Sequence, residues 1–305
     1  MHVTLRQLKV FEAVARNLSY TLAAQELHLT QPAVSMQIKQ LEGNVGLPLF
    51  EQMGKKIYLT EAGLEMNHYS REISGQLDEL DEVIEGLKGV ERGHLSISVA
   101  STANNFGTRL LAAFTEKCAG NSFSLDGTNR ERLLRQLESN EKDRVIMGRP
   151  PADMVLAVES FMDNPLVVIA PPSHPLVKEK SIPLSRLQEE TFVVREAGSG
   201  TFIAMERFFN THGIRLNTGM EMTSNEAIKQ SVEAGLGLGI VSIHTLELEL
   251  EAGRLVVLDI EDLPILRHWY VVHRQGKRLS PVARAFKDFV LKESGKILQY
   301  SALRM

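Results

Sequence analysis

The stretch LSYTLAAQELHLTQPAVSMQIKQL, Leu18 to Leu41, holds two short helical patterns joined by a tight connection. Ala23, Ala24 and Leu27 give the first an apolar face. Val34, Ile38 and Leu41 give the second one, at the four-then-three spacing of an amphipathic helix. Thr30 stands where an N-cap belongs, and Pro32 falls in the first turn, where a missing N–H costs nothing. Two adjacent alanines let a second helix cross close by, as in a helix-turn-helix. With Val34, Ile38 and Leu41 inward, the hundred-degree helical step turns Pro32, Met36, Lys39 and Gln40 outward and leaves Gln31 and Ser35 on the flank near the start. No acid precedes Glu42 on this polar helix. Such a helix start suits a major groove, where Gln reads adenine and Ser reaches base edges or phosphate. The plainer reading is a solvated helix of a small bundle.

Upstream, Leu5, Leu8, Phe11, Ala15 and Leu18 mark a helix that completes a three-helix core. Downstream, Gly46, Pro48 and Gly54 break helix. Leu47 to Glu51 and Lys56 to Leu59 read as two short strands about a turn at Met53-Gly54-Lys55, the wing of a winged helix. Lys55 and Lys56 at its tip suit phosphate or minor-groove contact. The expected DNA contacts are Thr30, Gln31, Pro32, Ser35, Met36, Lys39, Lys55 and Lys56.

Thr60 then caps a long helix with Glu61 in its first turn. Met66, Ile73, Leu80 and Leu87 recur every seven residues, with Tyr69, Leu77 and Ile84 between them. That average of 3.5 residues per step is the coiled-coil period. Acids crowd the outer face. This seam is expected to pair with the same helix of a second subunit; packing on its own chain is the alternative. Gly86, Gly89 and Gly93 loosen the chain beyond it.

From His94 strands and helices alternate, as in an open α/β sheet. LSISVA (95–100), FSLD (123–126), RVIM (144–147) and LVVIA (166–170) read as strands. A second set follows: TFVV (191–194), MEM (220–222), GIVS (239–242) and the return strand WYVV (269–272). Helices run from Ser101-Thr102 through Phe114, from Asn129 over Leu133, Leu134 and Leu137, through Phe209, over SNEAIKQSVEAG behind Ser224, and near Pro281 to Leu291. Two α/β halves joined by two crossings describe a hinged binding fold. The expected division is residues 1–60 for the winged helix-turn-helix, 61–92 for the linker helix and 93–305 for the effector domain. Within the last, one subdomain spans about 93–165 and 270–305 and the other about 166–269.

Ligands of open α/β sheets sit beyond the carboxyl ends of the strands. Those ends place Ser101, Thr102, Thr128, Asn129, Arg130, Arg149, Ser199, Gly200, Thr201 and Asn225 together. Hydroxyls at helix starts, with Gly200 allowing close backbone approach, make anion cradles, and Arg130 and Arg149 add bidentate partners. Simple capping is the alternative for Ser101 and Ser199.

The 305 residues, 43% hydrophobic and 24% charged, suit a soluble multidomain protein. The net charge of −4 conceals an asymmetry: up to Thr60 six bases oppose four acids, so the remainder carries −6. Cys118 is the only cysteine, which rules out an internal disulfide and fits a reducing cytosol or a disulfide-free exported protein. Charges interrupt the N-terminal apolar positions, unlike a signal peptide, and no run spans a bilayer. Gly235-Leu-Gly-Leu-Gly ends a helix and precedes a strand, the reverse of a dinucleotide loop, and Ser199-Gly200-Thr201 lacks a P-loop lysine. The nine histidines show no metal-binding spacing. Neither a catalytic constellation nor a metal site nor a membrane association is expected. A solute-binding protein on the same α/β halves is opposed by the N-terminal winged helix, and an enzyme fused to a DNA-binding domain by the missing catalytic set.

The segments LRQLKVFEAVARNLSYTLAAQELHLTQPAVSMQIKQLEGNVGLPLF and LTEAG resemble the LysR-type transcriptional regulators, and the order of parts does so over essentially the whole chain. The resemblance implies a winged helix-turn-helix, a dimerising linker helix through Met66, Tyr69, Ile73, Leu77, Leu80, Ile84 and Leu87, and an α/β effector domain of periplasmic-binding-protein type. It also implies a cytoplasmic homotetramer, a dimer of dimers, on double-stranded DNA carrying an interrupted inverted repeat, with RNA polymerase as a further partner. VASTAN, NRERLL, VIMGRPP, FMDNPLVVIAPPSHPL, REAGSGT, AMERFF, SNEAIKQSVEAGLGLGIVS and RHWYVVHRQGKRLSP are similar to regulators of RuBisCO operons. That similarity implies no cofactor but a phosphorylated or nucleotide effector such as ribulose bisphosphate, phosphoenolpyruvate or NADPH. A regulator of another operon, sensing a carboxylate or an amino-acid-like effector, is the second reading. Met36 stands where many members carry a base-reading Arg, Gln52 where the wing often has Arg, and Arg144 interrupts an apolar strand.

Overall fold

The computed structural model describes residues 2–54, 56–87, 93–118 and 120–298. The chain divides into two compact units, Met1–Ile84 with Ser139–Glu141 and Glu85–Glu138 with Lys142–Met305.

The first unit opens with α1 (Leu5–Asn17), α2 (Tyr20–Glu26) and α3 (Gln31–Val45). Each start is capped by a hydroxyl. Thr4 accepts from the Gln7 amide while the Gln7 side chain accepts from the Thr4 amide, a reciprocal capping box. Ser19 caps α2, and Thr30 caps α3 through the Ala33 amide at 3.4 Å. Val34, Ile38 and Leu41 are buried against Ala23, Ala24, Phe11 and Val14. The inward stripe of α1 departs from expectation. It runs through Gln7, Leu8, Val10, Phe11 and Val14, whereas Leu5 is exposed and Leu18 caps the helix in the left-handed region at φ 45°. Both sets lie on one side of the helix at its hundred-degree step, and packing against the neighbouring helices selects the observed one, which keeps Leu8 and Phe11 of the expected set.

The wing is β1 (Phe50–Met53) antiparallel to β2 (Lys56–Leu59). It starts at Phe50, not Leu47. Pro48 has no N–H to give, and Leu49 is spent on the core. Glu42 secures the hairpin: its Oε1 accepts from the amides of Leu49 at 2.8 Å and Phe50 at 3.3 Å. Thr60 caps α4 (Glu61–Leu87) through the Gly63 amide and donates to the Pro48 carbonyl at 2.7 Å. The helix continues through Gly86. Glycines 89 and 93 were expected to loosen the chain; the first lies outside the described residues.

The second unit holds two five-stranded sheets. In strand order the first comprises β4 (Ser122–Thr128), β3 (His94–Ala100), β5 (Arg144–Met147), β12 (His268–Arg274) and β6 (Leu156–Asp163). The β4-β3-β5 part is parallel and β12 antiparallel to its neighbours. Helices α5 (Asn104–Thr115) and α10 (Pro281–Ile297) cover one face with Phe106, Phe114, Phe286 and Phe289. α6 (Arg130–Glu138) covers the other with Leu133 and Leu137. The second sheet runs β11 (Val256–Val257), β7 (Leu166–Ala170), β10 (Leu238–Ser242), β8 (Thr191–Arg195) and β9 (Asn217–Met222). Here α7 (Gly200–Thr211) packs Met205 and Phe209 on one face. α8 (Asn225–Glu233) packs Ile228 and Val232 on the other, and the short α9 (Glu247–Glu251) follows β10. Ser101 and Thr102 belong to a 3-10 turn that runs into α5, so the α-helix itself opens at Asn104.

Two crossings join the sheets, at residues 164–165 and 265–267. They are hydrogen-bonded to each other: the Asn164 amide donates to the Arg267 carbonyl at 2.7 Å, and Leu166 and Ile265 exchange amide bonds at 3.0 Å.

Two predictions follow from these contacts. A Cβ at Gly63 would stand 2.0 Å from the Leu49 carbonyl oxygen. Gly63→Ala is expected to lower the stability of the first unit by about 2 kcal/mol or more in denaturant unfolding. In the second unit, burial and then the cations Arg144 and Lys287 push the His273 imidazole down to about 4. A depressed folded-state value means stability that is full above the ordinary 6.5 and lost as pH falls through 4. Thermal unfolding of His273→Gln is therefore expected to lose less stability than the parent over that window.

Candidate functional site

The parallel strands β3, β4, β5 and β8 all deliver their carboxyl ends to one cleft of about 250 Å³ between the two sheets. Of the residues expected there, Ser101, Thr102, Thr128, Asn129, Arg130, Arg149, Ser199, Gly200 and Thr201 line it. Asn225 does not. Its Oδ1 accepts from Nη1 of the buried Arg195 at 3.0 Å, so it positions a cleft residue from behind. Ser199 caps α7 through the Phe202 amide at 3.0 Å, and Asn129 caps α6 through the Arg132 amide at 2.9 Å. Both oxygens are occupied by the backbone, yet the Ser199 hydroxyl keeps its proton to donate. Ser101 makes no capping bond. The nearest atom to a Cβ at Gly200 would be Arg267 Nη1, 3.8 Å away. No contact among the described residues demands glycine there.

Sequence reading missed Arg195, Arg207 and Arg267, which complete the lining with Asn164 and Trp269. Arg195 is already neutralised, paired in bidentate fashion with Glu196 at 2.8 and 2.9 Å. The others are not. Arg130, Arg149, Arg207 and Arg267 have no carboxylate partner among the described residues, and no Asp or Glu lines the cleft. Arg130 donates to the Arg149 carbonyl at 3.0 Å, and Arg267 donates to the Gly200 carbonyl at 2.6 Å. Burial lowers the Arg130 guanidinium. Burial, and then the charges of Arg130 and Arg207, pull Arg267 down to about 10. Four guanidinium groups gathered without a counter-charge repel one another, and an anion in the cleft reverses that sign.

The other candidate surface lies on α3. Gln31, Pro32, Ser35, Met36, Lys39 and Gln40 line one shallow groove on its outer side. Thr30 stays at the helix start as its cap. Glu42 is turned away toward the wing. Lys56 is exposed on β2, and Lys55 lies outside the described residues. On α4, Tyr69, Ile73, Leu80 and Ile84 are exposed on the chain by itself. Met66 and Leu77 are half-buried, Met66 against the first unit's core. The Leu87 side chain lies outside the described residues.

Comparison with known proteins decides what these parts make. Residues 5–64 match the bacterial regulatory helix-turn-helix protein model of the lysR family, and residues 88–295 match the LysR substrate binding domain. The chain belongs to the LysR family. It is a LysR-type transcriptional regulator, a DNA-binding protein and not an enzyme. The RuBisCO operon transcriptional regulator of Allochromatium vinosum is 60% identical over 297 residues, covering 97% of this chain and 98% of that one. The transcriptional activator CmpR of Synechocystis is 47% identical over 95% of each. Among solved structures, the Synechocystis CcmR regulatory domain in complex with 2-PG is 41% identical, with a TM-score of 0.63, over 65% of this chain and 96% of its own. Full-length CbnR complexed with its target DNA is 21% identical, with a TM-score of 0.69 over 94% and 99%, and shares the fold. No helix among the described residues of this LysR protein is long and apolar enough to cross a membrane.

If the cleft is an anion site, phosphate should raise the unfolding temperature of the regulator saturably. At a hundredfold excess over its dissociation constant the gain is about 2.7 kcal/mol. Arg130→Met is expected to remove most of that gain; an equal gain in parent and variant would place the phosphate elsewhere.

Proposed function

We propose that this regulator controls a RuBisCO or related carbon-fixation operon and senses a phosphorylated metabolite in the cleft between its two sheets. The observation that carries the effector reading is the set of guanidinium groups without carboxylate partners around the cleft. Similarity over nearly the full length to a RuBisCO operon regulator supports the target, and a related regulatory domain solved with 2-PG supports the ligand class. Effector bound to both halves would favour one of two arrangements of the sensor, and the assembly would pass that bias to its DNA-binding helices.

DNA contact is assigned to α3 and the wing. Gln31 and Ser35 read base edges, with Pro32 and Met36 in apolar contact, while Lys39, Lys55 and Lys56 meet phosphates and Thr30 presents the helix start. The exposed apolar seam on α4 pairs two chains, and two such pairs make the tetramer. An interrupted inverted repeat would then present one half-site to each helix-turn-helix of a pair. The setting is the cytoplasm, with RNA polymerase bound alongside.

Retention of the gene's own upstream DNA, measured across a salt series, tests this reading. The parent is expected to prefer it over a scrambled duplex and to lose affinity steeply with salt. Ser35→Ala is expected to reduce that preference about tenfold while leaving scrambled-duplex binding nearly unchanged, and Lys39→Ala to weaken both. Equal affinity for both duplexes at low salt would overturn the proposal.

A further inference from the structure

The outward face of α3 carries one large apolar side chain. Met36 is 55% exposed and shares the open groove on that face with Gln31, Pro32, Ser35, Lys39 and Gln40. The helix does not need it for its own core, because Val34, Ile38 and Leu41 already fill the inward stripe and are buried. A lone exposed apolar residue is ordinary on a protein surface. What sets this one apart is its place. Residues three and four positions away are its neighbours on the helix surface. Among them Pro32, Lys39 and Gln40 are all exposed, which puts Met36 in the middle of the DNA-facing side. Pro32, one turn earlier, has no polar side-chain atom either, so the two make a short apolar strip within a polar face. Among the described residues no Asp or Glu lines that groove, and Glu42 is bonded to the root of the wing.

Base edges differ in what they offer such a strip. In the major groove guanine presents two acceptors, cytosine a donor and adenine one of each. Laid against Met36 and Pro32, any of these gives up water and gains no comparable partner. Thymine alone offers a methyl group, which apolar atoms cover favourably. The unbranched thioether can bend to follow it. Selection at that position then has two parts, a contact that only a C5 methyl makes and a desolvation cost set against the other edges.

We infer that Met36 is a specificity-determining residue that reads the C5 methyl of a thymine in each half-site of the DNA, with Pro32 as the adjoining wall. This inference rests on the assignment of α3 to the major groove given above, and it names a base which that assignment leaves open. The group recognised is a methyl at C5 rather than thymine as such. A 5-methylcytosine in the same place presents the same group, so the same contact makes binding sensitive to cytosine methylation there.

The contact is measured by binding the full-length regulator to its gene's upstream duplex with each thymine of one half-site replaced in turn by deoxyuridine. Deoxyuridine keeps every hydrogen-bonding group of thymine and lacks only the methyl. At one position the parent is expected to lose about fourfold in affinity, the contribution of one buried methyl. Met36→Ala changes an exposed side chain and leaves the core untouched. It is expected to lose less than about 1.5-fold at that position while responding like the parent at the others. With cytosine placed there, methylation at C5 is expected to raise parent affinity about fourfold and to leave Met36→Ala nearly unchanged. If the parent responds to deoxyuridine nowhere, if Met36→Ala keeps the full response at every position, or if cytosine methylation raises parent affinity no more than that of Met36→Ala, the methyl contact is wrong. DNA binding by α3 still stands in those cases, provided the upstream duplex is preferred over a scrambled one. If that preference is itself missing, the DNA reading fails and the methyl contact with it.

Discussion

Like-charge repulsion that no carboxylate among the described residues relieves is the constraint on which the sensor unit depends. Arg130, Arg149, Arg207 and Arg267 converge where the parallel strands end, and the one guanidinium among the cleft residues that does find a carboxylate, Arg195, is taken out of the set by Glu196. The fold tolerates this because the two sheets carry separate cores, Phe106, Phe114 and Phe286 under one and Met205, Phe209 and Ile240 under the other. Neither core needs the cleft to be closed. Stability is supplied by apolar packing within each half, and the space between them is left electrostatically unsatisfied, the usual arrangement at a binding site.

In the DNA-binding unit the constraint is steric. Ala23 and Ala24 allow α2 to lie close to α3, so Val34, Ile38 and Leu41 are fully used inward and only polar or adaptable side chains remain outside. Glu42 could have placed a negative charge beside that face. It is instead bonded to the amides at the root of the wing, which removes a repulsive charge from the groove and fixes β1 at once.

Much of this was legible in the sequence because the signals were local. Caps at Thr30, Thr60, Asn129, Ser199 and Ser224 follow from a hydroxyl or amide before an apolar period, and apolar runs such as Leu166–Ala170 have few other uses. β6 escaped because LAVESFMD has no clean period of two, with Glu159, Ser160 and Asp163 set among its apolar residues; as the outer strand of its sheet it needs only one apolar face. β11 has two residues and is defined only by its pairing with β7. The inward face of α1 was misplaced because several registers of its apolar residues fit a helix equally well, and tertiary packing alone chose between them. Arg267 and Trp269 lie far in sequence from the glycine-containing turns, and only the return of β12 to the first sheet brings them to the cleft, while Arg207 reaches it from within α7, beyond the helix start on which the sequence reading stopped. Asn225 marks the opposite error: a helix-start residue chosen by position, whose side chain is spent holding Arg195.

The central claim joins the two surfaces: an acid-bearing metabolite in the arginine cleft changes how the regulator holds its DNA. Energy transfer between dyes at the two ends of the upstream duplex, with saturating protein, measures the bend directly. Phosphoenolpyruvate, ribulose bisphosphate and 2-PG would be titrated in turn. The account predicts a saturable change in end-to-end distance with at least one of them, absent without protein and absent for an uncharged sugar. A bend that stays fixed at saturating concentrations of all three would contradict it.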